Sequence, residues 1–328
     1  MELNAVKDAY FRENGFTVVR NVLSPAEVET LRQRADEIVR DLDAYRQRDA
    51  AERAKLEGRH RQDGMDGTAK STAFAELPEV RIGDRYARRG DRVYPIRQRP
   101  VDAAAVAAAE ASDNPWDRLG STIDHLADND EMFRRFAAHP NIVKVLGKLL
   151  SPNLKLWFDH LYNKPPYNGG GSFDGANRFH QDGFFQFDRR SVTCWIALEE
   201  VTVENGCFHY VPLTADYGQV RFDIGVAEEL TADKLAETVL VTLRPGDAAF
   251  HDRWTMHATG PNETGSHRRG WAMHYCDAGS KWGDFTNDDP RWTNTYYQSP
   301  DRVHLRDNKV HGNRHYLLVA GEEFPGCV

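Results

Sequence analysis

The segment Arg178-Phe179-His180-Gln181-Asp182-Gly183 carries an imidazole and a carboxylate two residues apart. If it is extended, both side chains leave the same face and aim at one point. Adding one distant histidine completes the two-histidine, one-carboxylate face of a non-haem iron(II) oxygenase, which leaves coordination positions open. Alone, an H-x-D triplet is common and more often marks a surface turn. The run from Arg244 to Asn262 supplies the missing group: a Pro245-Gly246-Asp247 turn leads into an expected strand that ends at His257. Eleven positions later comes Arg268, which a returning strand would place deeper in the same barrel. A planar guanidinium there suits bidentate capture of a carboxylate, as the far end of 2-oxoglutarate would require.

Other residues compete for these roles. His251 precedes His257 by six positions and would face the same way on a regular strand. The register of Thr259, Gly260 and Arg268 favours His257 as the ligand, which leaves His251 as a buried hydrogen-bonding group. His209 and His274 lie in strand-like runs and default to core or pocket residues. Arg269 is the rival clamp, and alternation turns it outward. Trp195 on a central strand is either core or a contact of the cosubstrate. Phe184, Phe185 and Phe187 alternate after the H-x-D triplet, so some line a pocket and some a core; Phe184, Phe185 and Trp254 are the candidate substrate wall. Lys164, before two prolines, reads as a loop residue outside the site.

Three textures along the chain must position these groups. Residues 1–42 open with a short strand, Phe16-Thr17-Val18-Val19. A helix follows, with Ser24 as cap, Pro25 at its first position and Glu27 completing a capping box. Val28, Leu31, Ala35, Ile38, Val39 and Leu42 fall on one face at helical spacing. Residues 43–115 are charged and alanine-rich, with Arg81, Arg85, Arg88, Arg89, Arg92, Arg97 and Arg99 against Asp84 and Asp91. A run of this kind is usually a solvated face; the sharper reading is a lid over an anionic substrate. From 116 onward, helices are expected around 121–138 and 140–150. Short strands are expected at 154–162, 191–198, 207–212, 238–243, 247–251 and 270–276, with turns between them. Many short strands with few long helices indicate a mainly β jelly roll with flanking helices, here one domain over 1–328 with its core at 116–277.

Composition bounds the function. The 328 residues are 40% hydrophobic and 11% aromatic, which is ample for a buried core. A net charge of −8 argues against a broad nucleic-acid or anionic-membrane surface. No run approaches a membrane span, and Met1 to Gly15 lacks the apolar core of a signal peptide. Cys194, Cys207, Cys276 and Cys327 show no C-x-x-C spacing and read as free thiols of a cytoplasmic protein.

Four ordered blocks resemble the phytanoyl-CoA dioxygenase family of iron(II)/2-oxoglutarate oxygenases. They are Phe11-Arg12-Glu13-Asn14-Gly15-Phe16 through Ser24; Asn163-Lys164-Pro165-Pro166; Trp195-Ile196-Ala197-Leu198-Glu199-Glu200 with Glu204-Asn205-Gly206-Cys207; and His257 to Arg268. The resemblance implies a double-stranded β-helix in which His180, Asp182 and His257 bind iron, and Arg268, helped by Thr259 and Trp195, holds 2-oxoglutarate. It covers roughly 8–42 and 120–277. The chain departs from the family where Pro-Gly-Ser-His is usual and Pro212-Leu213-Thr214-Ala215 stands instead, which puts substrate identity, not the metal set, in question.

The implied reaction couples oxygen and the decarboxylation of 2-oxoglutarate to succinate and carbon dioxide with oxidation of a small organic molecule. A secondary metabolite or a carboxylate-bearing compound is expected, with hydroxylation the leading outcome. Asp182 fills the position that family halogenases leave to a halide, so chlorination is not expected. Two alternatives stay open: a jelly-roll protein that binds metal without turnover, and a zinc hydrolase or isomerase of cupin type.

Overall fold

A computed structural model describes residues 8–47, 78–90, 92–100, 103–118, 122–167, 177–182, 189–218, 220, 228–280, 317–325 and 327. Helix α1 (Asp8–Asn14) leads through Gly15 into β1 (Phe16–Val19) and α2 (Pro25–Arg40). The start of α2 is as expected: the Ser24 side chain accepts from the Glu27 amide while the Glu27 carboxylate accepts from the Ser24 amide. Its apolar stripe of Val28, Leu31, Ala35, Ile38 and Val39 is buried against a sheet.

Strands β2 (Glu79–Ile82), β3 (Tyr86–Arg89) and β4 (Arg92–Pro95) form a small antiparallel sheet, followed by α3 (Ala103–Glu110). The expected helix over 121–138 is instead β5 (Thr122–Asp124) and two short helices, α4 (Leu126–Asn129) and α5 (Glu131–Ala137). The break falls at Asp130, whose carboxylate caps α5 by accepting from Met132 and Phe133 amides. Helix α6 (Pro140–Leu149) follows, with proline in its first turn.

The core strands are β6 (Leu154–Lys164), β7 (Asn177–His180), β8 (Ser191–Ala197), β9 (Phe208–Tyr210), β10 (Val239–Val241), β11 (Ala248–Asp252), β12 (His257–Thr259), β13 (Arg268–Asp277) and β14 (Leu317–Ala320). Helix α7 (Ala232–Ala236) precedes β10. Two antiparallel sheets result. The larger runs β1-β11-β8-β13-β6-β14 with β5 beside β6; the smaller runs β10-β9-β12-β7. Their inner faces meet through Phe16 stacked on Tyr210 at 4.5 Å and Trp195 edge-on to Phe208 at 5.1 Å. The molecule is a jelly roll, mainly β with flanking helices, as expected.

One expectation is corrected. The strand carrying His251 does not run on to His257. It ends at Asp252, whose carboxylate accepts from the Trp254 amide and pairs with Arg190, and the chain turns into the other sheet. Gln181 anchors that turn by donating to the Trp254 carbonyl and to that of Gly218. His251 and His257 therefore reach the interior from opposite sheets.

The arginine-rich stretch is the β2-β3-β4 sheet. Tyr86 and Val93 pack with Phe179, Met256 and Ala258, the outward side chains of β7 and of the β12 segment. Arg89 pairs with Glu79 and Arg99 with Glu204, while Arg81, Arg85 and Arg88 are exposed. Its described residues thus buttress the smaller sheet from behind. No helix among the described residues is long and apolar enough to cross a membrane. The four cysteines are free thiols.

Candidate metal centre

His180 ends β7 and His257 begins β12, and the two are direct partners in the antiparallel pairing. Their rings lie 4.4 Å apart between centroids. Asp182, two residues on, falls just beyond β7 but keeps to the same side. Its Oδ1 is 3.6 Å from His180 Nε2 and 3.7 Å from His257 Nε2. Those separations are too long for hydrogen bonds, and suit donors that share one ion. One ligand atom from each residue lies within 4.8 Å of the others.

The protons around this set are fixed by its neighbours. His180 Nδ1 donates to the Arg178 carbonyl at 2.8 Å, and His257 Nδ1 to the Thr255 carbonyl at 2.9 Å. Each imidazole therefore carries its hydrogen on Nδ1 and turns a bare Nε2 towards Asp182. The other carboxylate oxygen, Oδ2, accepts from His251 Nε2 at 2.8 Å and from the Thr193 hydroxyl at 2.7 Å. The Tyr210 hydroxyl meets His251 Nδ1 at 2.8 Å and sets that ring's tautomer. His251 and Thr193 sit on β11 and β8 of the larger sheet, so one sheet holds still the carboxylate that the other presents.

Burial pushes His180 below the usual imidazole range. His257 is pushed well below it, by burial and by the neighbouring His251 and His180. Burial opposes the charge on Asp182, but His257 and the His251 hydrogen bond outweigh it, with His274 helping, and hold its carboxyl well below the carboxylate range. Neutral imidazoles facing an ionised carboxylate are the protonation states a divalent metal requires. The donor set of two nitrogens and one oxygen fits iron(II).

Deeper in the barrel, Arg268 starts β13 and is 1% exposed. Its guanidinium lies 5.3 Å over the Trp195 ring and 5.7 Å over Tyr162. One nitrogen donates to the Gly206 carbonyl at 3.2 Å, but Nε has no partner among the described residues. The buried Thr259 hydroxyl, two residues past His257, also lacks one. Two such groups left bare in one interior cost stability unless a ligand serves them. Burial lowers Arg268 to about 10, so it stays cationic at neutral pH. The Trp195 ring lies flat on Gly270, where an added Cβ would fall within 1.7 Å of it. Arg269 points outward to Glu199 and Asp36, as alternation requires.

Lys164 was not expected at the site, yet it is fully buried with its ammonium on the Gly260 carbonyl. Burial, with Arg268 nearby, pushes it well below the usual lysine range. Trp254 lies in the β11–β12 turn beneath the Arg253 guanidinium at 4.4 Å, with its carbonyl accepting from Gln181 between the two H-x-D residues. Phe184 and Phe185 lie outside the described residues. Sequence reasoning gave His274 as a core or pocket residue and missed Thr193, Tyr210 and His160 as neighbours of the site. Alternation along β8, β9, β6 and β13 would have turned each of them inward.

The family profile described as Phytanoyl-CoA dioxygenase (PhyH) matches residues 11–270. The peroxisomal phytanoyl-CoA dioxygenase of Rattus norvegicus is 28% identical over 189 residues, 54% of this chain and 55% of that protein. A methylphosphonate hydroxylase of Gimesia maris is 35% identical over 144 residues, 43% of this chain and 53% of that protein. The chain thus aligns with about half the length of these relatives. Among solved structures, EctD from S. alaskensis in its apoform superposes with TM-score 0.53 at 17% identity, over 86% of this chain and 79% of that one. The non-heme alpha ketoglutarate dependent carbocyclase SnoK from nogalamycin biosynthesis gives 0.52 at 19% identity, over 88% and 89%. At these identities the two structures speak to the fold.

Proposed function

The chain belongs to the phytanoyl-CoA dioxygenase family, and we propose that it is an iron(II)- and 2-oxoglutarate-dependent oxygenase that oxidises a small organic molecule. The observation that carries this reading is the convergence of His180, Asp182 and His257, with a buried Arg268 whose Nε has no partner among the described residues. A zinc hydrolase or isomerase would have no use for that guanidinium.

Iron, when bound with 2-oxoglutarate, supplies oxygen activation coupled to decarboxylation of the cosubstrate to succinate. The chain's part is to hold and orient. His180 and His257 offer Nε2, and Asp182 offers Oδ1 while His251 and Thr193 keep its other oxygen in place. Arg268 and Thr259 would grip the distal carboxylate of 2-oxoglutarate, with Trp195 and Tyr162 as a wall that keeps water from it. Hydroxylation is the favoured outcome; the methylphosphonate hydroxylase is the relative that supports it.

The test is anaerobic addition of iron(II) and 2-oxoglutarate, followed by air. A visible charge-transfer band and then succinate release, both absent in Asp182→Ala, are expected. A band without succinate would mean binding without turnover. Activity with zinc and no 2-oxoglutarate would replace the reading with a cupin-type hydrolase or isomerase.

A further inference from the structure

The Thr193 hydroxyl stands between two acceptor-capable groups, 2.7 Å from Asp182 Oδ2 and 2.9 Å from His274 Nδ1. It has one hydrogen to give. A carboxylate oxygen cannot sit 2.7 Å from another oxygen without a hydrogen between them, and Asp182 as a ligand has none. The Thr193 hydrogen therefore goes to Asp182, and Thr193 Oγ1 must accept from His274 Nδ1–H. That fixes the His274 tautomer: its Nε2 is a bare lone pair.

This Nε2 is buried and has no partner among the described residues, and the residue is only 7% exposed. His274 lies on the inward face of β13, in alternation with Arg268, Gly270 and Ala272. Its ring is flanked by Trp157 at 5.2 Å, Phe158 at 5.4 Å and His160 at 5.5 Å between centroids. The Nδ1 bond to Thr193 accounts for one ring nitrogen, but nothing among the described residues serves the other, so folding leaves the bare Nε2 acceptor unexplained.

We infer that His274 Nε2 is a substrate-recognition acceptor, selecting a molecule that presents a hydroxyl or N–H donor beside an apolar, ring-stacking surface. A carboxylate or an ether at that point would set one lone pair against another and be rejected. The inference deepens the oxygenase reading and relies on it only in taking this interior as the substrate's. His274 acts here as a specificity determinant.

The test uses the full chain labelled with 15N-histidine, with and without zinc(II) as a diamagnetic stand-in for iron. Long-range proton–nitrogen NMR reads the ring nitrogens, with the His274 signals assigned by their loss in His274→Phe, or in His274→Gln if the first variant does not fold. The expected result is an unprotonated Nε2 whose resonance moves saturably on adding phenol and stays put with anisole, the same ring with its donor methylated. A protonated Nε2, an equal response to both compounds, or no response to either overturns the inference. The iron(II)–2-oxoglutarate band is recorded on the same preparation. Its absence would remove the oxygenase reading, whereas the nitrogen resonance decides the role of His274 by itself.

Discussion

His251 on β11 donates through Nε2 to Asp182 Oδ2 at 2.8 Å, leaving Oδ1 as the carboxylate oxygen that faces the two other candidate ligands. His251 is 1% exposed and is itself aligned by the Tyr210 hydroxyl. It is the residue that decides which way the carboxylate turns.

Replacing it tests that relationship. His251→Ala should weaken iron(II) or zinc(II) binding by about 10- to 100-fold, the usual effect of removing a group that orients a metal ligand. Competition against a chelating dye reads the affinity. Binding unchanged within twofold would mean that Thr193 suffices.

Arg268 separates ligand capture from stability. Arg268→Met should raise the 2-oxoglutarate dissociation constant by roughly 100-fold, the scale of a lost charge-assisted hydrogen bond. The metal-free protein should lose no more than about 1 kcal/mol, because the guanidinium is buried with Nε unpaired and a methionine of similar volume removes that burden. Anaerobic absorbance titration and urea unfolding measure the two effects. A large stability loss with intact cosubstrate binding would reassign Arg268 to the fold.

Acid should destabilise the metal-free chain through its buried imidazoles. Burial lowers His209 and His274 to about 3, from an unfolded value near 6.5. Between those limits the unfolded chain takes up protons that the folded chain refuses, so stability is intact above pH 6.5 and falls as pH drops below it. Each group contributes about 2 kcal/mol of that loss at pH 5. His160, His180 and His257 shift the same way. Asp159, raised to about 7 by burial, and Asp252, also raised by burial, act with the opposite sign. Urea unfolding at pH 7.5 and 5.0 should show a net loss, and about 2 kcal/mol less of it in His209→Gln. An unchanged pH slope in that variant would show that His209 titrates normally.

Leu213 sits at φ +64°, in the left-handed region, and is 43% exposed. An L side chain there costs about 1–2 kcal/mol, partly recovered on changing to glycine because glycine loses more chain entropy on folding. Leu213→Gly should therefore stabilise the protein by up to about 1 kcal/mol in urea unfolding. A destabilised variant would mean that the leucine side chain makes a contact worth more than its strain.

What the sequence disclosed was whatever is encoded locally. Ser24, Pro25 and Glu27 marked the start of α2 because a capping box is a contact between residues three apart. His180 and Asp182 could be paired on paper because strand alternation acts over two residues. His251 was legible as a buried hydrogen-bonding group, but its partner Asp182 was not, since Thr193, His251 and His274 arrive from three strands of the other sheet and only the docking of sheets joins them to that carboxylate. The Asp252–Thr255 turn carries no glycine or proline to announce it, because what breaks the strand is the capture of the Trp254 amide by the Asp252 side chain. In the arginine-rich region the strands were masked by charge, although Gly83-Asp84 and Gly90-Asp91 are two turn signals at even spacing. Both glycines take positive φ, +62° and +61°.

The division of labour between the sheets has a mechanical corollary. His180, Asp182 and His257 belong to the smaller sheet and its edge, while His251 and Thr193, which clamp Asp182, belong to the larger. Sliding one sheet by a fraction of an ångström would lengthen the clamp before it disturbed either sheet's own ladder. With an ion held there as proposed, its affinity would gauge intersheet spacing, and a core substitution far from the centre that alters that spacing is expected to register as weakened metal binding.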